Sequence, residues 1–181
     1  MSKTSAVAAK ALTSNHFELF GLVPAFALDV ARLEAAYRDI QSEVHPDRFA
    51  QAGDAERRAS MQMTTRVNEA YRTLKNPVQR ARYLLELNGV DVGSETNTAM
   101  PREFLVAQME LREKLEESRD VTALGLLQKD LLEEKKNLEV RIAHLLDVLH
   151  DYNVASDAVR KLMFLDRFGE DIDAAYEALE S

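Results

Sequence analysis

The chain has 181 residues, 46% hydrophobic and 30% charged, enough for one ordinary domain or two small ones around a buried core. Its 31 acidic and 23 basic residues leave a formal net charge of -8, so partners bound mainly through Lys and Arg, such as nucleic acid or an anionic membrane surface, are not expected. Cysteine is absent, which excludes disulfides and thiolate-ligated metals or clusters and fits a reducing compartment.

With only 4 prolines and 6 glycines, few signals interrupt the helical periodicities, and an all-α protein is expected. No apolar run approaches the length of a membrane span. Residues 1–14 are rich in Ala, Ser and Thr and read as a flexible N-terminus. A mitochondrial transit peptide, also poor in acids, is the alternative there. The first element is short, His16 to Phe20, with Asn15 as N-cap and Gly21 as stop. Asp29 then caps a helix with Val30, Leu33, Tyr37, Ile40 and Val44 on one face, ended by Pro46. A loop through Gly53 leads to a second long helix with Met63, Val67, Ala70, Tyr71 and Leu74 on one stripe, closed by Asn76-Pro77. A further helix carrying Ala81, Leu84, Leu85 and Leu87 stops at Asn88-Gly89.

Residues 90–101 read as a linker, separating an N-terminal part (15–89) from a C-terminal bundle (102–181) of three helical stretches. The first runs from about Arg102 to Glu117. The second runs from about Val121 to Tyr152, where Leu124, Leu131, Leu138 and Leu145 recur every seven residues. That repeat demands a helical partner along its length, and bundle core is favoured over a dimer zipper, so a monomer is expected. The third starts near Ala155, breaks at Gly169 and resumes through Ile172, Tyr176 and Leu179.

Two places carry chemistry. The tripeptide His45-Pro46-Asp47 sits where an amphipathic helix meets a loop. Histidine near a helix C-terminus, a helix-stopping proline and a turn aspartate have an ordinary structural reading on their own. The second place is the helix from Arg102. At about 100° per residue Phe104, Ala107, Leu111 and Leu115 share one arc, the natural core face. Leu105, Val106 and Met109 point elsewhere, beside Glu110, Glu113 and Glu117. An apolar patch rimmed by acids suits protein binding, whereas a helix buried on both sides gives the same pattern. Phe164 points away from the stripe of Ala158, Leu162 and Leu165 and adds to the binding reading. His16, His144 and His150 form no ligand set, no catalytic constellation stands out, and neither metal nor cofactor is expected.

The surroundings of the tripeptide decide its reading. Leu33-Glu-Ala-Ala-Tyr37-Arg38 lies upstream and Arg66-Val-Asn-Glu-Ala-Tyr71-Arg-Thr-Leu74 downstream, with a short capped helix before both. Residues 15 to about 76 thus resemble a J-domain, a helical hairpin joined by a His-Pro-Asp loop. With Arg80-Ala81-Arg82-Tyr83-Leu84-Leu85, Phe104-Leu105, Glu110-Leu111-Arg112-Glu113 and Arg160-Lys161-Leu162-Met163-Phe164-Leu165-Asp166 added, the chain resembles the HscB family over residues 15–180.

The resemblance implies a non-enzymatic co-chaperone with an N-terminal J-domain hairpin and a C-terminal three-helix bundle. It implies that His45, Pro46 and Asp47, supported or flanked by Tyr37, Arg38 and Arg48, stimulate the ATPase of an HscA-type (DnaK-related) chaperone. It further implies that Leu105, Val106, Met109, Glu110, Glu113, Glu117 and Phe164 bind the iron–sulfur scaffold IscU. The cysteine-rich zinc-binding extension of some members has no counterpart among these residues. Many J-domains have a strongly basic helix before the tripeptide, whereas here Glu34, Asp39 and Glu43 alternate with Arg32 and Arg38, which weakens steering and suggests a dedicated partner. A bacterial cytoplasmic location is expected ahead of the mitochondrial matrix. The rival readings are a J-domain protein serving a general DnaK with another client, and a helical adaptor outside chaperone action.

Overall fold

The computed structural model describes residues 14–49, 51–93 and 101–180. The expected flexible stretch 1–14, apart from Ser14, and most of the expected linker 90–101 lie outside the described residues. The all-α expectation holds, with no strand among the described residues. The helices are α1 (His16–Leu19), α2 (Val30–Val44), α3 (Asp54–Lys75), α4 (Pro77–Leu87), α5 (Arg102–Glu117), α6 (Val121–Ala143) and α7 (Tyr152–Glu180). The chain divides into two compact units at Arg80/Ala81, inside α4 rather than after it. No described helix is long and apolar enough to cross a membrane.

In the N-terminal unit, local signals place the helix starts. Asn15 and Glu18 form a reciprocal capping box at α1, and the Asp29 carboxylate accepts from the Arg32 amide at the start of α2, satisfying amides that would otherwise lack partners. Gly21 takes a positive φ of 63° as the chain leaves α1. Phe17, Phe20, Leu22 and Phe26 from the α1 region are buried with Leu33 and Val44 of α2 and Met63, Val67, Ala70 and Leu74 of α3. The expected faces hold at those α2 and α3 positions, but Val30 is 41% exposed and begins its helix outside the core. Ser14, expected in the flexible stretch, is buried, and its carbonyl accepts from Arg66 of α3.

The α2–α3 pair is antiparallel, as its cross-links show. Glu34 pairs with Lys75 at one end, and Val44 meets Ser60 and Thr64 at the other. Between them the rings of Tyr37 and Tyr71 stack at 4.0 Å. The Tyr37 hydroxyl donates to Asn68 at 2.9 Å and accepts from Gln41 at 3.0 Å. Hydrogen bonding to Tyr71 and then to Glu34 holds the Lys75 ammonium above the ordinary lysine value.

In the C-terminal unit α6 and α7 are also antiparallel: Gln128 reaches Asp173, and Lys135 reaches Asp166. Leu127, Leu131, Leu165, Phe168 and Ile172 form the core between them, so at Leu124, Leu131 and Leu145 the seven-residue leucine stripe is buried within the chain, with Leu138 only half-buried.

Two expected boundaries are corrected. The helix from Val121 does not run to Tyr152: α6 ends at Ala143, and His144–Leu149 form a turn of π-helix closed by His150 in left-handed geometry. Amides of His150 and Asp151 both bond to the Leu145 carbonyl, and Asp151 caps α7 at Val154, reversing the chain. Nor does α7 break at Gly169. Leu131 packs over that glycine, with its Cδ2 3.6 Å from where a Cβ would stand, and the helix continues to Glu180. Packing overrides the weak local penalty of one helical glycine.

Candidate functional site

The corner after α2 follows from accounting for its backbone groups. Pro46 has no amide, so the Ser42 carbonyl lacks the donor four residues on. The Arg48 guanidinium supplies it, donating to Ser42 O at 3.1 Å. Residues Pro46–Phe49 form one 3₁₀ turn, in which the Arg48 amide bonds to the His45 carbonyl instead of continuing the α-helical ladder to Val44. The Val44 carbonyl is met instead from α3, by the Ser60 hydroxyl at 2.7 Å and the Thr64 hydroxyl at 3.1 Å.

On this frame His45 and Asp47 are exposed and Pro46 is half-buried. The Asp47 amide donates to His45 Nδ1 at 3.3 Å, which ties the imidazole to the turn. The Asp47 side chain is 89% exposed, with its Oδ2 3.5 Å from the same nitrogen. An outward carboxylate on a fixed turn is suited to a charge-assisted hydrogen bond from a partner's arginine. Of the other residues expected to serve this surface, Arg38 is exposed on α2, Arg48 braces the turn, and Tyr37 is half-buried in the α2–α3 seam. Ser60 and Thr64 escaped the sequence reading, because hydroxyls reaching a carbonyl 16 and 20 residues away leave no periodic signal.

The second candidate surface is the outer face of α5. This helix has no fully buried residue. Phe104, Gln108, Leu111 and Leu115 are half-buried, whereas Ala107, expected in the core, is exposed. The inward stripe is thus rotated towards Gln108 and narrowed, following the usual spacings of four, three and four. On the other side Leu105 is 47% exposed, Val106 44% and Met109 69%. Glu110, Glu113 and Glu117 are exposed farther along, so the face is apolar near its N-terminus and acidic towards its C-terminus.

Phe164 is corrected in one respect: its ring does not stand away from the core. It is half-buried against the α6–α7 cluster, stacked on Phe168 at 6.0 Å and edge-on to Phe104 at 5.6 Å, with Arg112 over its face. Because α7 is covered by α5 as well as α6, its apolar arc is wider than the single stripe of Ala158, Leu162 and Leu165. Phe164 therefore lies behind the N-terminal half of α5.

Residues 100–173 match the family model described as the HSCB C-terminal oligomerisation domain. The co-chaperone protein HscB homolog of Burkholderia multivorans is 51% identical over 173 residues, covering 94% of this chain and 98% of the relative. Among solved structures, chaperone HscB from Vibrio cholerae superposes with a TM-score of 0.82 at 32% identity, covering 92% of this chain and 99% of that one. Human co-chaperone protein HscB superposes with a TM-score of 0.85 at 30% identity, covering 90% and 82% respectively.

Proposed function

The chain belongs to the HscB family of co-chaperones, and on that premise we propose that it stimulates ATP hydrolysis by an HscA-type heat-shock chaperone while delivering an IscU-type scaffold to it in iron–sulfur cluster assembly. The observation that carries this reading is the turn His45-Pro46-Asp47, exposed at the end of the α2–α3 hairpin and braced so that its acid projects outward. ATP chemistry belongs to the partner. This chain supplies a preorganised contact whose ordering cost was met when the hairpin folded.

The scaffold is assigned to α5. Three exposed apolar side chains in its first two turns are followed by three exposed carboxylates, which fits an apolar partner surface flanked by basic residues. Carrying both surfaces on one chain raises the effective concentration of the scaffold at the chaperone without any new contact. The mixed charge of α2, with Glu34, Asp39 and Glu43 among its arginines, favours a dedicated chaperone over a general DnaK.

The test is a steady-state ATPase comparison of an HscA-type chaperone and a general DnaK, each with this protein and with or without the scaffold. The expected result is strong stimulation of the HscA-type enzyme, increased further by scaffold. Equal stimulation of DnaK with no scaffold effect would favour a J-domain protein with another client.

A further inference from the structure

We infer that Ser60 and Thr64 are positioning residues for the proposed ATPase contact, acting through the Val44 carbonyl to set the angle at which the His-Pro-Asp turn leaves the hairpin. The inference rests on the functional reading above and adds two residues that touch no partner. In an uninterrupted helix the Val44 carbonyl would accept from the Arg48 amide. That amide is committed to His45 instead, and Pro46 begins a tighter turn.

Val44 is 5% exposed and Ser60 4%, so its carbonyl sits where a lost donor is costly. Both hydroxyls converge on that one oxygen from successive turns of α3, at 2.7 and 3.1 Å. A carbonyl gripped at two points cannot tilt freely, and it closes the last residue of α2, immediately before His45. The Arg48 bond to Ser42 holds the turn to its own helix. The hydroxyl pair holds it to the neighbouring helix and so couples the turn to the rest of the hairpin. Displacing Asp47 by an ångström would weaken a directional hydrogen bond far more than an apolar contact.

The experiment compares the double variant Ser60→Ala/Thr64→Val, which removes both donors, with Ser60→Ala/Thr64→Ser, which keeps one. Val67→Ala serves as a stability control, since Val67 is fully buried on the same helix. ATPase stimulation of an HscA-type chaperone is titrated with each full-length variant, and the amide chemical shifts of Asp47 and Arg48 are recorded without partner. The donor-free variant should lose maximal stimulation by about fivefold or more, with its half-saturating concentration changed less than about twofold. Its Asp47 and Arg48 amides should shift, while the one-donor variant recovers most of the stimulation and Val67→Ala keeps it.

Normal stimulation by the donor-free variant would overturn the inference, and so would an equal loss in Val67→Ala. An Asp47→Ala arm separates the two levels. If it abolishes stimulation while the donor-free variant works normally, the function stands and the positioning role falls. If the unaltered chain gives no stimulation, the functional reading fails and this inference with it.

Discussion

The turn at His45–Arg48 is fixed by bonds to backbone, whereas the outer face of α5 is fixed only by what packs behind it. In the turn, Arg48 and the two hydroxyls of α3 each engage a helix-end carbonyl, and the most outward group is the Asp47 carboxylate, beside the exposed His45. On α5, Leu105, Val106 and Met109 present area with no bond directing them, over a helix that itself buries nothing completely. A single directional contact needs its backbone immobilised, whereas an apolar contact tolerates small shifts because dispersion and burial add over many atoms. Directed hydrogen bonds are accordingly found behind the turn, and packing alone behind the outer face of α5.

Changes that separate the two surfaces sharpen this contrast, and the largest effect is expected from Asp47→Ala. Its side chain is 89% exposed, so removal should leave folding and scaffold binding intact while stimulation falls by at least about tenfold, as ATPase titration and circular dichroism would report. An unfolded variant would mean that the turn is structural. Next comes Leu105→Ala with Met109→Ala, which should weaken scaffold binding about 10- to 100-fold by calorimetry and leave scaffold-free stimulation unchanged. Phe164→Ala should lower both scaffold binding and the melting temperature, because its ring supports Phe104 and the bundle core. A loss of binding with unchanged melting temperature would make Phe164 a contact alone.

Smaller effects probe the scaffolding beneath each surface. Tyr37→Phe removes a hydroxyl bonded to both Asn68 and Gln41, and urea unfolding should show a loss of about 1 kcal/mol. Gly169→Ala should raise stability by about 0.5–1 kcal/mol, since the helix is continuous there and the new methyl meets Leu131 at ordinary contact distance. A destabilised alanine variant would mean that the α6–α7 seam cannot accept even a methyl group.

What the sequence made legible was mostly local. The caps at Asn15 and Asp29 and the stop at Pro46 act within a few residues, and each appears where expected. Most of the apolar stripes of α2, α3 and α6 also survive, Val30 and Leu138 being the weak positions. The helical wheel fails in the C-terminal bundle at two places: Ala107 is displaced from the inward face of α5, and Phe164 is drawn against the core by a second helix. The π turn at His144–Leu149 was hidden because Leu145 keeps the seven-residue pattern while the backbone abandons it. Gly169 was misread as a break because its neighbour Leu131 is 38 residues away in the chain. Of the two candidate surfaces, the exposed residues were legible, but the hydroxyls of Ser60 and Thr64 behind the turn were not.

The most direct measurement crosses the two surfaces in one assay: ATPase stimulation of an HscA-type chaperone by unaltered protein, Asp47→Ala and Leu105→Ala/Met109→Ala, each with and without scaffold. Asp47→Ala should give no stimulation in either condition. The α5 variant should match unaltered protein without scaffold and lose the extra stimulation that scaffold brings. If the α5 variant is as inactive as Asp47→Ala without scaffold, or if Asp47→Ala still stimulates, the division of labour between turn and helix is contradicted.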